Sequence, residues 1–396
     1  MTSATPAHPK IIIGASIPRS GHHFLQGMMS TYYDRDLFYC EYYSPANCCR
    51  TAPCTRRGKF KYIYQKSHDR DFALPPDIGD ALYLIQYRHP VAEALSDREL
   101  ELKDTIGRPN LNFRQSQAGY LTWLAGKAIY YRKFHDKWLA TKRPNAIYLD
   151  YAKLSGAPAD EMRAIIDRVS GPVDEARLAN VVTVARGPRV STVRKDGPAE
   201  TFKQRVVSDS PHFDAELLGA LEAWVLDRCP SYGFARELSG SYRDSALYGM
   251  ILLKDTTEPL PEGETKRFKA AAKLAPDQPE ILRRIALRTL REGHAKQAIA
   301  RLEKLIARHP YFPGAYGLLF SACADAGIAV PESVLTGNAL IACNESPELL
   351  LQLGAAFQEK VFALNAISAY SAAAFIAPDN PEARERLAAA ISHVKR

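Results

Sequence analysis

KIIIGASIPRSGHHFLQGMM occupies residues 10–29 and decides the fold class of the first half of the chain. Its apolar run at 10–16, with the β-branched residues Ile11–Ile13, is typical of a buried strand, and the run leads into a turn that contains Pro18 and Gly21. A helical pattern follows. Because backbone amides and the dipole at a helix N-terminus attract anions, a strand, a tight turn and a helix in this order predict a phosphate-binding loop.

The side chains of this loop suit an anionic ligand. Arg19 and Ser20 supply a charged and a hydroxyl donor, and His22 and His23 lie in the first helical turn. The loop is not a Walker A motif, because no Lys-Ser or Lys-Thr follows Gly21. That absence argues against an ATP-dependent kinase. An ordinary strand-to-helix turn remains the alternative interpretation.

Further strands and helices alternate through the first 240 residues. Runs rich in β-branched and aromatic residues at 61–67, 81–87 and 145–151 predict strands, and 91–103 and 115–140 read as helices. Alternating strands and helices predict an α/β domain with a parallel sheet. In such sheets ligands bind at the carboxyl ends of the strands.

Two of these strand ends carry residues suited to anion chemistry. Arg88 ends one predicted strand, and Ser96 lies eight residues later on the helix that begins at Pro90. These two donors can converge on one anion. Lys66 and His68 follow another strand. A histidine can take a proton from an acceptor hydroxyl near neutral pH, and a lysine can stabilise developing negative charge.

The first loop resembles the 5′-phosphosulfate loop of sulfotransferases that use PAPS, 3′-phosphoadenosine 5′-phosphosulfate. The family pattern is close to Pro-Lys/Arg-Ser-Gly-Thr-Thr-Trp/Phe-Leu, and Pro18–Leu25 matches it with histidines in place of both threonines. The resemblance implies that Phe24 lies against the adenine, although a core position for this ring is the alternative. It also implies a set of 5′-phosphate ligands: Arg19, Ser20, Gly21, His22 and His23.

The other motifs extend the same resemblance. Arg88 and Ser96 are similar to the 3′-phosphate motif of this family, and Lys66-Ser67-His68 stands where its cytosolic branch has Lys-Thr-His. By this likeness His68 is the base, and Lys66 and Arg19 stabilise the transferring group. Asp69 is a candidate to orient His68. The likeness implies no metal, since positive side chains and helix N-termini neutralise the charge.

Two later segments match the family less closely. YLDYAKL at 148–154 resembles a strand and turn of this family, which implies that Tyr151 lies near the adenine. Arg194, Lys195 and Gly197 resemble a loop that closes over the 3′-phosphate, with Asp196 inserted. The resemblance therefore covers roughly residues 10–235.

Prolines at a constant interval mark the C-terminal part. Their spacing is 34 residues each time, and Ala and Leu recur at helical spacing between them. They are Pro279, Pro313, Pro347 and Pro381. This pattern resembles tetratricopeptide repeats, in which the proline opens the first helix of each pair. We therefore predict a sulfotransferase domain over 1–240 and a helical-repeat domain over 241–396 that offers a surface to a protein partner.

The net charge and the lengths of the apolar runs limit the classes of ligand and the cellular location that we expect. The 396-residue chain carries a formal charge of +8, which favours anionic ligands, but no long Lys/Arg run or nucleic-acid motif is present, so nucleic acid is not expected. No run approaches the length of a transmembrane helix, and the apolar run near the N-terminus is too short for a signal peptide. We expect a cytoplasmic protein.

The segment 32–60 is rich in tyrosine, cysteine and arginine. We expect it near the acceptor, where its aromatic rings and cations suit a carbohydrate or glycolipid; a structured insertion is equally compatible. A phenolic or peptide-tyrosine acceptor, and a non-catalytic nucleotide-binding scaffold, also stay open. The segment holds four of the seven cysteines: Cys40, Cys48, Cys49 and Cys54. Unligated thiols, a zinc site and local disulfides are all open interpretations of this cluster.

Overall fold

The computed structural model describes residues 10–42, 48–55, 60–103, 111–186, 206–254 and 265–394. The chain forms two compact units, which we call the α/β unit and the helical unit. The α/β unit comprises 1–100 and 127–241, and the helical unit comprises 101–126 and 242–396. The domain boundary predicted after residue 240 remains a prediction.

A five-stranded sheet organises the α/β unit. Its order is β2-β3-β1-β4-β5, and every neighbouring pair is parallel. The predicted α/β class with a parallel sheet is confirmed, as is a separate helical region. The strands are β1 Lys10–Ser16, β2 Leu37–Glu41, β3 Tyr62–Ser67, β4 Leu82–Tyr87 and β5 Ala146–Asp150.

Strand β2 was not predicted. It lies inside the segment 32–60, for which a place near the acceptor and a structured insertion were equally compatible. It pairs with β3 at the edge of the sheet, with Cys40 opposite Gln65 and Glu41 opposite Lys66. The strand therefore delivers Glu41 to the same end of the sheet as Lys66. The remaining predicted strands agree with the structure to within one residue at each end.

Helices follow or separate the strands. The helix predicted over 115–140 corresponds to α4, which begins at Gln117 and ends at Trp138, and the short α3 precedes it. The first eight helices are α1 His22–Tyr33, α2 Pro90–Lys103, α3 Leu111–Gln115, α4 Gln117–Trp138, α5 Tyr151–Gly156, α6 Pro158–Ser170, α7 Glu175–Arg186 and α8 Ala215–Arg228.

Both faces of the sheet are covered. Side chains alternate along a strand, so Tyr64 and Leu84 join the core formed with α1, α6 and α7. On the opposite face Tyr83 packs against Trp138 of α4, with ring centroids 5.6 Å apart. Ile63 packs there against cysteines of the 48–55 segment. The burial of both faces explains why the central strands read as continuous apolar runs.

The helical unit contains α9 Ala246–Lys254, α10 Thr265–Leu274, α11 Pro279–Arg291, α12 Ala295–Arg308, α13 Pro313–Ala326, α14 Gly337–Cys343, α15 Pro347–Glu359, α16 Ala363–Ile376 and α17 Pro381–Val394. Each of the four regularly spaced prolines begins a helix, as predicted. The interval after α13 departs from the pattern, because α14 has only 7 residues where a full second helix was expected. The tetratricopeptide assignment remains a prediction. Within the described ranges, no helix has the length and apolarity needed to cross a membrane.

Candidate active site at the ends of β1, β3 and β4

The loop between β1 and α1 is held by hydrogen bonds to the sheet and to itself. The Ile17 amide donates to the Gln86 carbonyl at 2.9 Å, and the Ser20 hydroxyl donates to the Ile17 carbonyl at 2.6 Å. Arg19 and Gly21 both have positive φ, at 61° and 83°. These left-handed residues turn the chain so that α1 begins at His22. The helix N-terminus therefore faces the end of the sheet.

A glycine is required at position 21 for a second reason. A Cβ atom there would lie 2.6 Å from the ring of Tyr151, the first residue of α5. The ring therefore packs directly on the backbone of the loop. A position of Tyr151 near an adenine stays a prediction.

The two arginine motifs, far apart in sequence, meet here. Arg19 Nε donates to Ser96 Oγ at 3.0 Å, and Arg88 Nη1 donates to the Arg19 carbonyl at 3.1 Å. The Arg88 guanidinium also lies over the ring of Tyr151, 4.5 Å from its centroid. One cluster of cationic and hydroxyl donors therefore joins β1, the end of β4 and α2.

Hydrogen bonds fix both the backbone and the side chain of Arg88, and one side-chain N–H remains available to a ligand. The Tyr131 hydroxyl donates to its carbonyl at 2.9 Å, and its Nε has no hydrogen-bond partner among the described residues. Burial lowers the pKa of Arg88, although a guanidinium stays charged at neutral pH. A partly buried cation with an unsatisfied donor is suited to an anionic ligand.

His68 occupies the turn after β3, and its tautomer follows from its contacts. Nδ1 lies 2.9 Å from the Ser16 carbonyl, which can only accept, so Nδ1 carries the proton and Nε2 carries a lone pair. Burial first, and then the nearby charge of Lys66, lower the pKa of His68 to about 3. The Tyr130 hydroxyl donates to the His68 carbonyl at 2.6 Å. His68 is therefore a fixed, neutral imidazole.

Lys66 is a buried cation opposite Glu41. Its Nζ lies 3.6 Å from the Glu41 carboxylate. Burial lowers the pKa of Lys66 to about 8, and the attraction to Glu41 limits the decrease. The ammonium is therefore close to titration at mildly alkaline pH. A partly desolvated cation of this kind interacts strongly with any anion that reaches it.

Histidines surround the start of α1. The ring centroids of His22 and His23 are 3.9 Å apart, and those of His22 and His68 are 4.7 Å apart. Burial, followed by the charge of Lys66, lowers the pKa of His22 well below its usual range. Its Nε2 has no hydrogen-bond partner among the described residues. Ligand atoms of His22, His23 and Glu41 lie within 4.8 Å of one another, a spacing compatible with a metal ion.

Asp69 does not orient His68. Its carboxylate accepts from Trp138 Nε1 at 2.8 Å and from the Leu74 amide at 2.8 Å, and it forms an ion pair with Lys137 at 2.7 Å. Trp138 and Lys137 hold the turn after β3 against α4, and Leu74 closes the turn itself. The adjacent histidine is oriented instead by Ser16, which sequence reasoning did not identify.

A cavity of about 580 Å³ opens beside Lys66 and His68. Four residues that the sequence did not single out lie in its wall, namely Glu41, Tyr42, Arg70 and Asp71. Recognition of β2 would have placed Glu41 there, because parallel strands end at the same edge. The full lining consists of Glu41, Tyr42, Lys66, His68, Asp69, Arg70 and Asp71.

Not every predicted ligand lies at this site. Phe24 is 5% exposed and belongs to the core beneath α1, so its ring has little surface to offer an adenine. This is the core position that the sequence left open. Ser20 is fully buried, and its hydroxyl is engaged within the loop. Arg194, Lys195 and Gly197 lie outside the described residues.

Known proteins offer few similarities to this chain. No protein-family model matches the chain, and no curated protein matches it. Among solved structures, the mouse sulfotransferase SULT7A1 complexed with PAP is similar, with 17% identity and a TM-score of 0.34. The match covers 45% of this chain and 63% of the mouse chain, which is less than two thirds of that protein. A likeness at this level supports no conclusion about function.

Proposed function

We propose that this protein is a PAPS-dependent sulfotransferase that transfers a sulfuryl group to a hydroxyl of a carbohydrate or glycolipid. The observation that carries the proposal is the hydrogen-bonded cluster of Arg19, Ser96 and Arg88. Two motifs separated by about 70 residues meet beside a helix N-terminus, as an adenosine bisphosphate ligand requires. Lys66 and His68 then stand next to a cavity that is open to an acceptor.

Donors for each phosphate are present. The amides at the start of α1, with Arg19, suit the 5′-phosphate, because a helix N-terminus and a guanidinium both attract anions. Arg88 and Ser96 suit the 3′-phosphate. Tyr151, which contacts Gly21 and Arg88, is positioned to border the nucleoside. Where the family pattern has two threonine hydroxyls, His22 and His23 offer imidazole N–H groups in the same turn.

The chemistry assigned to the chain is an in-line displacement at sulfur. His68 Nε2 takes the proton from the acceptor hydroxyl, whose oxygen forms the new bond to sulfur. The bond between sulfur and the bridging oxygen of the 5′-phosphate breaks, so the products are PAP, a sulfate ester and a protonated imidazole. Lys66 and Arg19 stabilise the charge that develops on the leaving oxygen. The low pKa of His68 keeps the imidazole unprotonated before the step.

The lining of the cavity favours a polyhydroxylated acceptor. Carboxylates of Glu41 and Asp71 can accept hydrogen bonds from hydroxyls, and Tyr42 offers an aromatic face. A phenol offers these carboxylates a single hydroxyl, whereas a sugar offers several. Phenolic and peptide-tyrosine acceptors are therefore the second choice. Docking of a protein partner on the helical unit and a cytoplasmic location remain predictions.

A transfer assay tests the proposal. The full chain is incubated with radiolabelled PAPS and a panel of oligosaccharides, glycolipids and phenols, and labelled sulfate esters are separated. We expect a labelled sugar product with the wild type and a rate lower by about 10²–10⁴ with His68→Ala, because a general base contributes that much. PAP binding with no transfer to any acceptor would favour a nucleotide-binding scaffold instead.

A further inference from the structure

Three cysteines from two segments converge beside β3. Cys40 lies on β2, and Cys49 and Cys54 lie in the 48–55 segment that covers the same face of the sheet. Their Sγ atoms all lie within 4.8 Å of one another. No disulfide joins any of the seven cysteines of the chain, all of which lie in described ranges. The proposed sulfuryl transfer uses none of these thiols.

Burial and hydrogen-bond donors define the surroundings of the three sulfur atoms. Cys40 and Cys54 are fully buried, and Cys49 is partly exposed, so an ion could enter from one side. The Thr51 hydroxyl donates to Cys49 Sγ at 3.0 Å, and Gln65 Nε2 approaches Cys40 Sγ at 3.8 Å. Donors aimed at sulfur form the outer shell that stabilises metal-bound thiolates.

We propose that Cys40, Cys49 and Cys54 bind one Zn²⁺ ion, with water in the fourth position. Thiolates select soft or borderline ions, and Zn²⁺ takes them in tetrahedral geometry. A Zn–S bond of about 2.3 Å places tetrahedral sulfur atoms about 3.8 Å apart. The observed cluster therefore needs only a small contraction. An iron–sulfur cluster is less suitable, because it is generally held by four thiolates.

The ion would fasten the 48–55 segment to the edge of the sheet. Gln65, opposite Cys40 on β3, already donates to the Thr51 carbonyl at 2.6 Å, so the segment contacts the sheet there. The next pair in register is Glu41 and Lys66, which line the cavity. Zinc would thus fix the strand end that carries Glu41. This positioning role rests on the proposed function, whereas zinc binding itself does not.

The metal content of the full-length protein tests the proposal directly. The wild type is purified from zinc-supplemented cells under reducing conditions, dialysed without chelator and analysed by mass spectrometry for metals. We expect about one zinc per chain. Removal of the ion with a chelator should increase alkylation of Cys40, Cys49 and Cys54, mapped by peptide mass spectrometry, and added zinc should restore protection. This readout requires no variant to fold.

Variants supply the matched comparison. Cys49→Ser and Cys54→Ser should each lower zinc affinity at least about tenfold, since each removes one of the ligands. Cys229→Ser, at a buried cysteine outside the cluster, should keep the metal. A folded wild type without zinc, a Cys40–Cys54 disulfide in the reduced preparation, or equal zinc content in all variants would overturn the proposal. Because zinc is measured without nucleotide, failure of sulfuryl transfer would leave this result intact.

Discussion

At the scale of single residues, burial controls the charges of the candidate site. Lys66 and His68 lie at the same strand end. Desolvation lowers the pKa of Lys66 to about 8 and the pKa of His68 to about 3. The first remains a cation at neutral pH and the second remains a neutral acceptor. Two neighbouring groups therefore hold complementary protonation states, as a proton transfer beside a stabilising charge requires.

The pKa of Lys66 predicts an alkaline limit on activity. Burial moves this pKa down to about 8, so the ammonium is present below that pH and is lost as the pH rises through it. The value of kcat/KM for PAPS should fall about tenfold for each pH unit above the pKa of Lys66. A Lys66→Arg variant that retains activity should stay flat, because arginine does not deprotonate in this range. A wild-type profile without an alkaline limb would contradict a catalytic charge on Lys66.

At the scale of elements, the loop depends on a contact between two helix starts. Gly21 precedes α1 and Tyr151 begins α5, and the ring of Tyr151 fills the space beside the glycine. The geometry of the loop is therefore set by β5 and α5 as well as by its own turn. A local sequence motif specifies the turn but does not identify the ring that supports it.

Two single substitutions, at Gly21 and at Gly27, distinguish the contact with Tyr151 from the general effect of glycine on helix stability. Gly21→Ala should destabilise the protein by about 1–3 kcal/mol and weaken PAP binding, because φ is +83° and the Cβ would overlap the ring of Tyr151. Gly27→Ala is the control, since Gly27 lies inside α1 with no atom within 4 Å of the added Cβ. That change should be neutral or stabilising by up to about 1 kcal/mol. Urea denaturation and PAP titration check both; equal stability of the two variants would refute the contact.

The elements predicted from sequence are those with a local signature. Strands buried on both faces read as apolar runs, and prolines at a regular interval mark helix starts, so β1, β3 and the four proline-initiated helices were accessible. Strand β2 was missed because its sequence, LFYCE, lies in a segment whose tyrosines, cysteines and arginines suggested an acceptor-binding region or an insertion and not a strand of the sheet. The role of Glu41 was missed with it, and the role of Ser16, at the end of β1, was missed separately. Both depend on pairing between strands, and no local pattern encodes such pairing.

At the scale of the whole molecule, the chain does not divide at a single point. The helical unit includes residues 101–126 from the middle of the sequence. Phe113 packs on the core of this unit, with its ring 5.3 Å from that of Phe312. The sequence pattern cannot reveal that residues 101–126 join the helical unit, because the segment 115–140 reads as one continuous helix.

Truncation tests this arrangement. A fragment of residues 1–241 should expose Phe113, because Phe312 is removed, and should therefore bind hydrophobic dyes and aggregate more than the full chain. The same fragment with Phe113→Ser should aggregate less. Light scattering and dye fluorescence measure both. A monomeric fragment with the PAP affinity of the full chain would instead support an independent domain ending near residue 240.

The most direct test of the central claim is calorimetric titration of the full chain with PAP and with ATP. We expect PAP to bind well and ATP much more weakly, because only PAP carries the 3′-phosphate assigned to Arg88. Arg88→Ala should lower PAP affinity about 10- to 100-fold, as loss of a charge-assisted hydrogen bond predicts. Arg163→Ala, at an exposed arginine paired with Glu175, should leave it unchanged. Folded protein that does not bind PAP, or binds it equally well without Arg88, would contradict the account.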